Sequence, residues 1–294
     1  MDQLSISQLA QFSGLKAHTI RMWEQRYNAL SPNRSEGNTR YYDNSQLRRL
    51  LNIVSLSDRE HKISELCAMP DKKLFRLVKE LQNETSNEVD EYFISQIIAA
   101  GMSYDEPYFN KIFSHCLLRY GIRDSYLKVI YPILVRMGLM WAGNTLPPAQ
   151  EHFISNLFRQ KLSTAIDSLP PPKPGQDSWL LFLPENEFHE IGLQFSHYLI
   201  SLAGKKVIYL GSNVPLESLA QAIKKVSVQN LLLFLVHNNS GKVIQEYINE
   251  LYIRFKNKKI FIAGGPSFAT QITNKKGIYL LQSVQSLELH LKLK

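Results

Sequence analysis

The sequence predicts a multidomain α and α/β protein. It reads as an N-terminal winged helix-turn-helix, a central bundle of four to five helices, and a C-terminal five-stranded parallel α/β domain of the Rossmann-like or flavodoxin-like kind. Three observations carry this. The last third alternates short β-rich runs with helical stretches, the middle repeats apolar residues at helical spacing, and the first fifty residues set two helical segments around a glycine. At 294 residues, 44% hydrophobic and 20% charged, the chain is long enough to bury more than one core.

The first segment runs Ser5 to Leu15 and then Lys16 to Tyr27. Ser7 is the expected cap of a short helix, Gly14 the turn, and His18 to Arg26 the second helix, with Ile20 and Trp23 in its core. A second helix of this kind enters the major groove with its first turns facing base edges, so His18, Thr19 and Arg21 are the candidate readers. Arg34 to Tyr42 is turn-rich, has basic residues on both sides, and reads as a wing. From Lys16 to Leu50 there are seven basic residues, six of them arginine, against Glu24, Glu36 and Asp43. Arginine concentrated in one short segment is the better polyanion signal within a net charge of +8.

Pro70 and Asp71 break the chain soon after the wing. Apolar residues then recur at helical spacing to Leu169, with breaks near residues 83–87, 101–107, 121–124 and 144–148. Leu169 to Gly175 carries four prolines and reads as a stiff linker. The expected boundaries are 1–75 for the winged helix, 76–169 for the bundle, 170–177 for the linker and 178–294 for the α/β domain.

In that last domain the expected strands are Trp179 to Leu183, Lys206 to Leu210, Asn230 to Val236, Lys259 to Ala263 and Gly277 to Leu281. Helical stretches lie around Leu216 to Val226 and Lys242 to Phe255. Between the first strand and its helix stands Glu187-Phe188-His189-Glu190-Ile191-Gly192, and ligands of open α/β sheets bind at such carboxyl ends. Glu187, His189 and Gly192 are expected on the loop. The imidazole of His189 can ligate a metal through one nitrogen, while Glu187 takes the other N–H and fixes the tautomer. Gly211 and the pair Gly264-Gly265 are expected just past the second and fourth strands, with Leu210 to Pro215 as a turn.

Two resemblances sharpen this reading. The residues I-S-Q-L-A, T-I-R-M-W-E and R-x5-R-Y-Y resemble the winged helix of the MerR family, which implies double-stranded DNA as partner and Arg21, Arg34, Arg40 and Tyr41 as contacts. The E-x-H-x-x-G motif, the Leu210 to Pro215 segment and the late Gly-Gly resemble the cobalamin-binding domain. That likeness implies His189 as lower cobalt ligand, and a slot for the displaced nucleotide tail near Gly192, Ser212, His237, Gly264 and Gly265. Upstream, Trp141 followed after nine residues by Glu151-His152 resembles the cap of the CarH/LitR photoreceptor regulators. It implies adenosylcobalamin as cofactor, with Trp141 over the upper corrin face and Glu151 and His152 at the adenosyl group. It further implies a homo-oligomer, dimer or tetramer, that represses transcription in response to light. Two positions depart from these families. Ala142 stands where a histidine follows the cap tryptophan, and His237-Asn238 where a serine follows the third strand.

Other classes are less well supplied with residues. Cys67 and Cys116 are far apart without C-x-x-C spacing, so neither a disulfide framework nor a cysteine zinc site is expected. There is no G-x-S-x-G, P-loop or H-E-x-x-H, so an enzyme is not expected. The N-terminus lacks an export signal and no apolar run approaches the ~18 residues of a membrane span, which leads to the expectation of a cytoplasmic protein. The alternatives are a cobalamin-independent regulator answering to a protein partner and a corrinoid carrier or methyl-transfer subunit.

Overall fold

The computed structural model describes residues 4–35, 38–57, 61–80, 88–142, 148–236, 241–264 and 276–293. The chain forms two compact units that divide between Phe158 and Arg159, inside a helix and upstream of the proline-rich segment.

The first unit opens with α1 (Ile6–Ser13) and α2 (Ala17–Tyr27), joined at Gly14, whose φ of 73° suits a residue without a β-carbon. The cap of α1 is Ser5, not Ser7. Ser5 Oγ accepts from Gln8 N at 3.3 Å while Gln8 Oε1 accepts from Ser5 N at 2.6 Å, a reciprocal box that Ser7, already inside the first turn, cannot form. Ile20 and Trp23 are buried on α2 as the pattern predicts. The wing is the two-stranded ribbon β1 (Asn33–Arg34) and β2 (Arg40–Tyr41), and α3 (Asn44–Leu56), α4 (Ile63–Ala68) and α5 (Asp71–Glu80) follow.

Four longer helical stretches complete this unit or begin in it: α6 (Glu88–Met102), α7 (Glu106–Ser125), α8 (Tyr131–Ala142) and α9 (Pro148–Asp167). Gly121 kinks α7 with φ 68° and ψ 177°, and a π-helical turn from Tyr126 to Ile130 leads directly into α8. A buried polar seam joins α3 to α6. Gln96 Nε2 donates to Asn52 Oδ1 at 3.0 Å, Tyr108 OH donates to Gln96 Oε1 at 2.8 Å, and the Ser55 and Ser95 hydroxyls lie 2.8 Å apart. Bonded in this way, polar groups that would cost several kcal/mol in isolation are tolerated in the core. Arg136 on α8 forms a two-pronged pair with Glu91, at 2.9 and 2.6 Å, and reaches the Phe12 carbonyl at 3.4 Å.

The second unit is a parallel sheet of five strands: β3 (Ser178–Pro184), β4 (Lys206–Val214), β5 (Asn230–Leu235), β6 (Lys259–Gly264) and β7 (Ile278–Leu281). Their order across the sheet is β4-β3-β5-β6-β7, the flavodoxin-like order, and α10 (Glu190–Leu202), α11 (Leu216–Lys225), α12 (Gly241–Arg254) and α13 (Val284–Leu291) connect or follow them. Leu231 and Leu233 of β5 enter the core packed with α11 and α12, and by strand alternation Leu232 and Phe234 face the other side, toward α10. Because the chain leaves β3 for β4 on one side and returns to β5 on the other, a crevice opens at the carboxyl ends of β3 and β5. No helix among the described residues is long and apolar enough to cross a membrane.

Candidate functional site

The crevice is held by Glu187, which follows β3 and is buried. Its Oε2 accepts from the backbone N of Val236, just past β5, at 2.8 Å, and so ties the two strand ends together. Oε1 accepts from the backbone N of Phe188 at 3.0 Å and of His189 at 3.2 Å, and meets His189 Nδ1 at 2.5 Å. Four donors on one carboxylate fix its position before any ligand arrives. Since Nδ1 is engaged, coordination by this ring would use Nε2, the tautomer that a metal-ligating histidine adopts. His189 is the N-terminal cap residue of α10 and its side chain is about half exposed (48%). On the β4 side, Asn213 N donates to the Glu187 carbonyl at 3.2 Å and its Oδ1 accepts from Asn186 N at 3.0 Å.

Three expectations at this end need correction. Gly192 lies in the first turn of α10, not on the loop, because the helix starts at Glu190. A β-carbon there would sit 2.7 Å from Cε1 of Phe234, so the glycine makes room for a phenyl ring of β5. Gly211 lies within β4, not past its end, and Leu210 to Val214 is strand, not turn. At φ 80° it coincides with the register shift that pairs it with Phe182, the place where a bulge prolongs the strand. A β-carbon at Gly211 would lie 3.2 Å from Glu190 Oε1. Ser212 follows in β4 and is partly buried, and Gly264 ends β6. His237 and Gly265 lie outside the described residues.

Among the described residues no group of three or more His, Cys, Asp or Glu side chains converges on a metal position. A single imidazole with its second nitrogen pinned is suited to a metal that arrives already held by other donors, as in a macrocycle. A recess of about 650 Å³ opens at the same strand ends on the side of α11 and α12, lined in part by Pro184, Pro215, Leu216, Leu235 and Tyr247, and neither Glu187 nor His189 is part of its lining.

The upstream motif is in the first unit. Trp141 is in the last turn of α8, and its side chain lies outside what is described. Glu151 and His152 open α9, with His152 Nδ1 2.7 Å from Glu151 Oε2 and Ser155 Oγ 2.5 Å from Glu151 Oε1.

On the winged helix, His18 and Arg21 are exposed and Thr19 partly so, all on α2. Arg34 is exposed and donates to Asn38 Oδ1 within the wing, and Tyr41 is partly buried. Arg40 donates from Nε to Glu24 Oε1 at 3.1 Å, and Tyr42 OH donates to Glu24 Oε2 at 2.8 Å. Burial and that bond to Glu24 push the Tyr42 phenol well above its ordinary range. Glu24 therefore fastens the wing to α2, a role the sequence did not reveal, because nothing local marks a contact across sixteen residues. Two of the charges weighed in the segment from Lys16 to Leu50, one basic and one acidic, belong to the scaffold. Arg49 donates to the carbonyls of Ala29 (2.7 Å), Met69 (3.0 Å) and Cys67 (2.5 Å), and Asp43 caps α3 by accepting from Gln46 N at 2.9 Å.

Residues 4–69 match the family described as MerR HTH family regulatory protein, and residues 93–165 match the B12 binding domain family, over α6 to α9. The HTH-type transcriptional repressor CarH of Myxococcus xanthus is 26% identical over 246 residues, 82% of this chain and 82% of that protein. The HTH-type transcriptional repressor CarA of the same organism is 28% identical over 225 residues, 76% of this chain and 73% of the relative. Both relatives are named as repressors and not as enzymes. Among solved structures, the monomethylamine corrinoid protein of Methanosarcina barkeri covers 70% of this chain and 100% of its own at 12% identity and a TM-score of 0.49, and the fold assignment rests on the sheet order itself. The chain thus joins a MerR-type helix-turn-helix domain to a B12 binding domain and is homologous to the CarH and CarA transcriptional repressors.

Proposed function

We propose that this protein is a transcriptional repressor that binds promoter DNA through α2 and the wing and holds a corrinoid at the carboxyl ends of β3 and β5, with His189 Nε2 as lower axial ligand. The observation that carries this is the pinned imidazole: Glu187 meets Nδ1 at 2.5 Å and is itself anchored by Val236 N across the crevice. His189 as ligand, with Glu187 as the acceptor that orients it, fits a corrin's lower face. The fit is poorer for the nucleotide tail, because the space at Gly192 holds the ring of Phe234. A corrinoid with an adenosyl upper ligand supplies a cobalt–carbon bond that light cleaves.

Trp141, Glu151 and His152 are the residues we assign to the upper face. One winged helix reads a half-site, so specificity requires an oligomer presenting two or more in register. In this reading cofactor binding biases the oligomer, by no more than its differential affinity for the two states. His18, Thr19 and Arg21 read base edges, while Arg34, Arg40 and Tyr41 grip phosphates. Gly192, Ser212, His237, Gly264 and Gly265 are assigned to the ground beneath the corrin.

The test is size-exclusion chromatography with adenosylcobalamin in the dark and after green light, paired with a promoter shift assay. A dark oligomer that binds DNA and dissociates on illumination is the expected result. Identical elution in every condition refutes the light switch, and absence of any promoter shift refutes the regulator.

A further inference from the structure

We infer that Phe234 and Glu190 make the His189 site selective for corrinoids that lack a lower nucleotide. This rests on His189 as the axial ligand and concerns what else the crevice admits. In cobalamin the nucleotide is tethered to the rim of the ring, so a protein imidazole that takes the lower position leaves the tail attached and obliged to descend beside it. Among the described residues, the walls next to His189 are the first turn of α10, the end of β5 and the end of β4.

Two of these walls, α10 at Gly192 and β4 at Gly211, have a position without a side chain, and in both that position is already met by another side chain. At Gly192 an added β-carbon would lie 2.7, 3.2 and 3.4 Å from Cε1, Cδ1 and Cζ of Phe234, so the ring occupies the volume that the glycine vacates. The alternation of β5 fixes this orientation, because Leu231 and Leu233 are committed to the opposite core. At Gly211 the atom met is Glu190 Oε1, at 3.2 Å, which puts a carboxylate on the β4 side. The neck of that flank is further tied by the bonds of Asn213 to the Glu187 carbonyl and to Asn186 N.

A nucleotide tail brings two liabilities to such a place. Its bulk forces the half-buried Phe234 ring from its place against Gly192, and displacement of a seated side chain carries a cost toward the low end of that of an overpacked core. Its phosphodiester is an anion brought toward Glu190, a like charge that acts as a discriminating element against that ligand alone. A corrinoid ending at the ring and its short side chains meets neither, while it still accepts His189 Nε2.

The experiment compares adenosylcobinamide, which has no nucleotide, with adenosylcobalamin in the dark, by titrating the full-length protein and following the visible spectrum. Wild type is expected to bind adenosylcobinamide about tenfold or more tighter, the equivalent of the lower end of an overpacking cost. Phe234→Ala and Glu190→Gln are expected to narrow that ratio by improving adenosylcobalamin binding. The second variant keeps size and packing, so the test survives if the first unfolds. Equal affinities or a preference for adenosylcobalamin in wild type overturns the inference, as does a ratio unchanged in both variants. If neither corrinoid binds, the axial-ligand reading itself fails, and this one with it.

Discussion

Two glutamates each restrain a side chain assigned to a ligand, and they do so with opposite consequences. Glu24, on α2, holds Arg40 by Nε and Tyr42 by its hydroxyl, with the Arg40 side chain 39% exposed. Glu187 is only 4% exposed in its side chain and holds His189 while accepting three backbone N–H groups. The first contact joins a carboxylate 11% exposed to a cation 39% exposed, so a phosphate reaching Arg40 from solvent competes with it. The second does not compete with the ligand, because the bonds to Glu187 use Nδ1 and backbone, while coordination would use Nε2. One acid tethers a cation that must partly let go, and the other prepares a base that need not move.

The largest expected effect follows from that burial. Glu187→Ala leaves the N–H groups of Val236, Phe188 and His189 without this acceptor; these bonds are part-buried and their residues reach solvent, so each is worth an ordinary net hydrogen bond of about 0.5–1.5 kcal/mol. Denaturant unfolding of this variant is therefore expected to show a loss of about 2 kcal/mol or more for the α/β unit. A loss under about 1 kcal/mol would erase the contrast with Glu24.

A smaller effect is expected at the wing. Arg40→Ala is predicted to weaken binding to all duplexes alike and to reduce the slope of log affinity against log salt by about 1. Glu24→Gln, which removes the competing charge but keeps an acceptor for Tyr42, is expected to raise affinity modestly at low salt. An unchanged slope in Arg40→Ala would mean that this arginine stays with Glu24 on DNA.

The smallest concerns Asp43, the cap of α3. Bonds from the Ser45 hydroxyl and the Gln46 N–H hold its carboxyl below the usual range. A depressed folded-state value gives stability that is fully present above the unfolded value of about 3.9 and is lost as pH falls through the folded one. Asp43→Ala is expected to cost about 1 kcal/mol near neutral pH. The difference from wild type should shrink in acid, and a gap independent of pH would assign the cap to something other than the carboxylate.

The legible parts of the molecule are those written in local pattern. The five strands follow their apolar runs to within a few residues, since a parallel sheet covered on both faces needs continuous hydrophobic segments. For the same reason Phe234 was invisible. Within Asn230 to Val236 every residue but the first is apolar, and nothing in the run tells which side chain would turn toward Gly192. Gly211 read as the end of a strand because glycine usually breaks one, whereas here a bulge absorbs it and β4 continues to Val214. The pairing of Glu187 with His189 was legible because two residues on one loop can meet. The bond from Val236 N to the same carboxylate spans 49 residues and is a product of the topology. Arg49 was misread for a comparable reason, as its three carbonyl partners come from segments about twenty residues away.

The central claim is that His189 Nε2, oriented by Glu187, is an axial ligand to a corrin-held metal. The most direct measurement is the electron paramagnetic resonance spectrum of cobalt(II) cobinamide bound to the protein, because cobinamide carries no nucleotide base and axial nitrogen coupling, as distinct from that of the four corrin nitrogens, must come from the polypeptide. Axial coupling to a single nitrogen in wild type that vanishes in His189→Ala is the predicted result. A spectrum without axial nitrogen coupling in wild type, or one that keeps it in His189→Ala, would contradict the account.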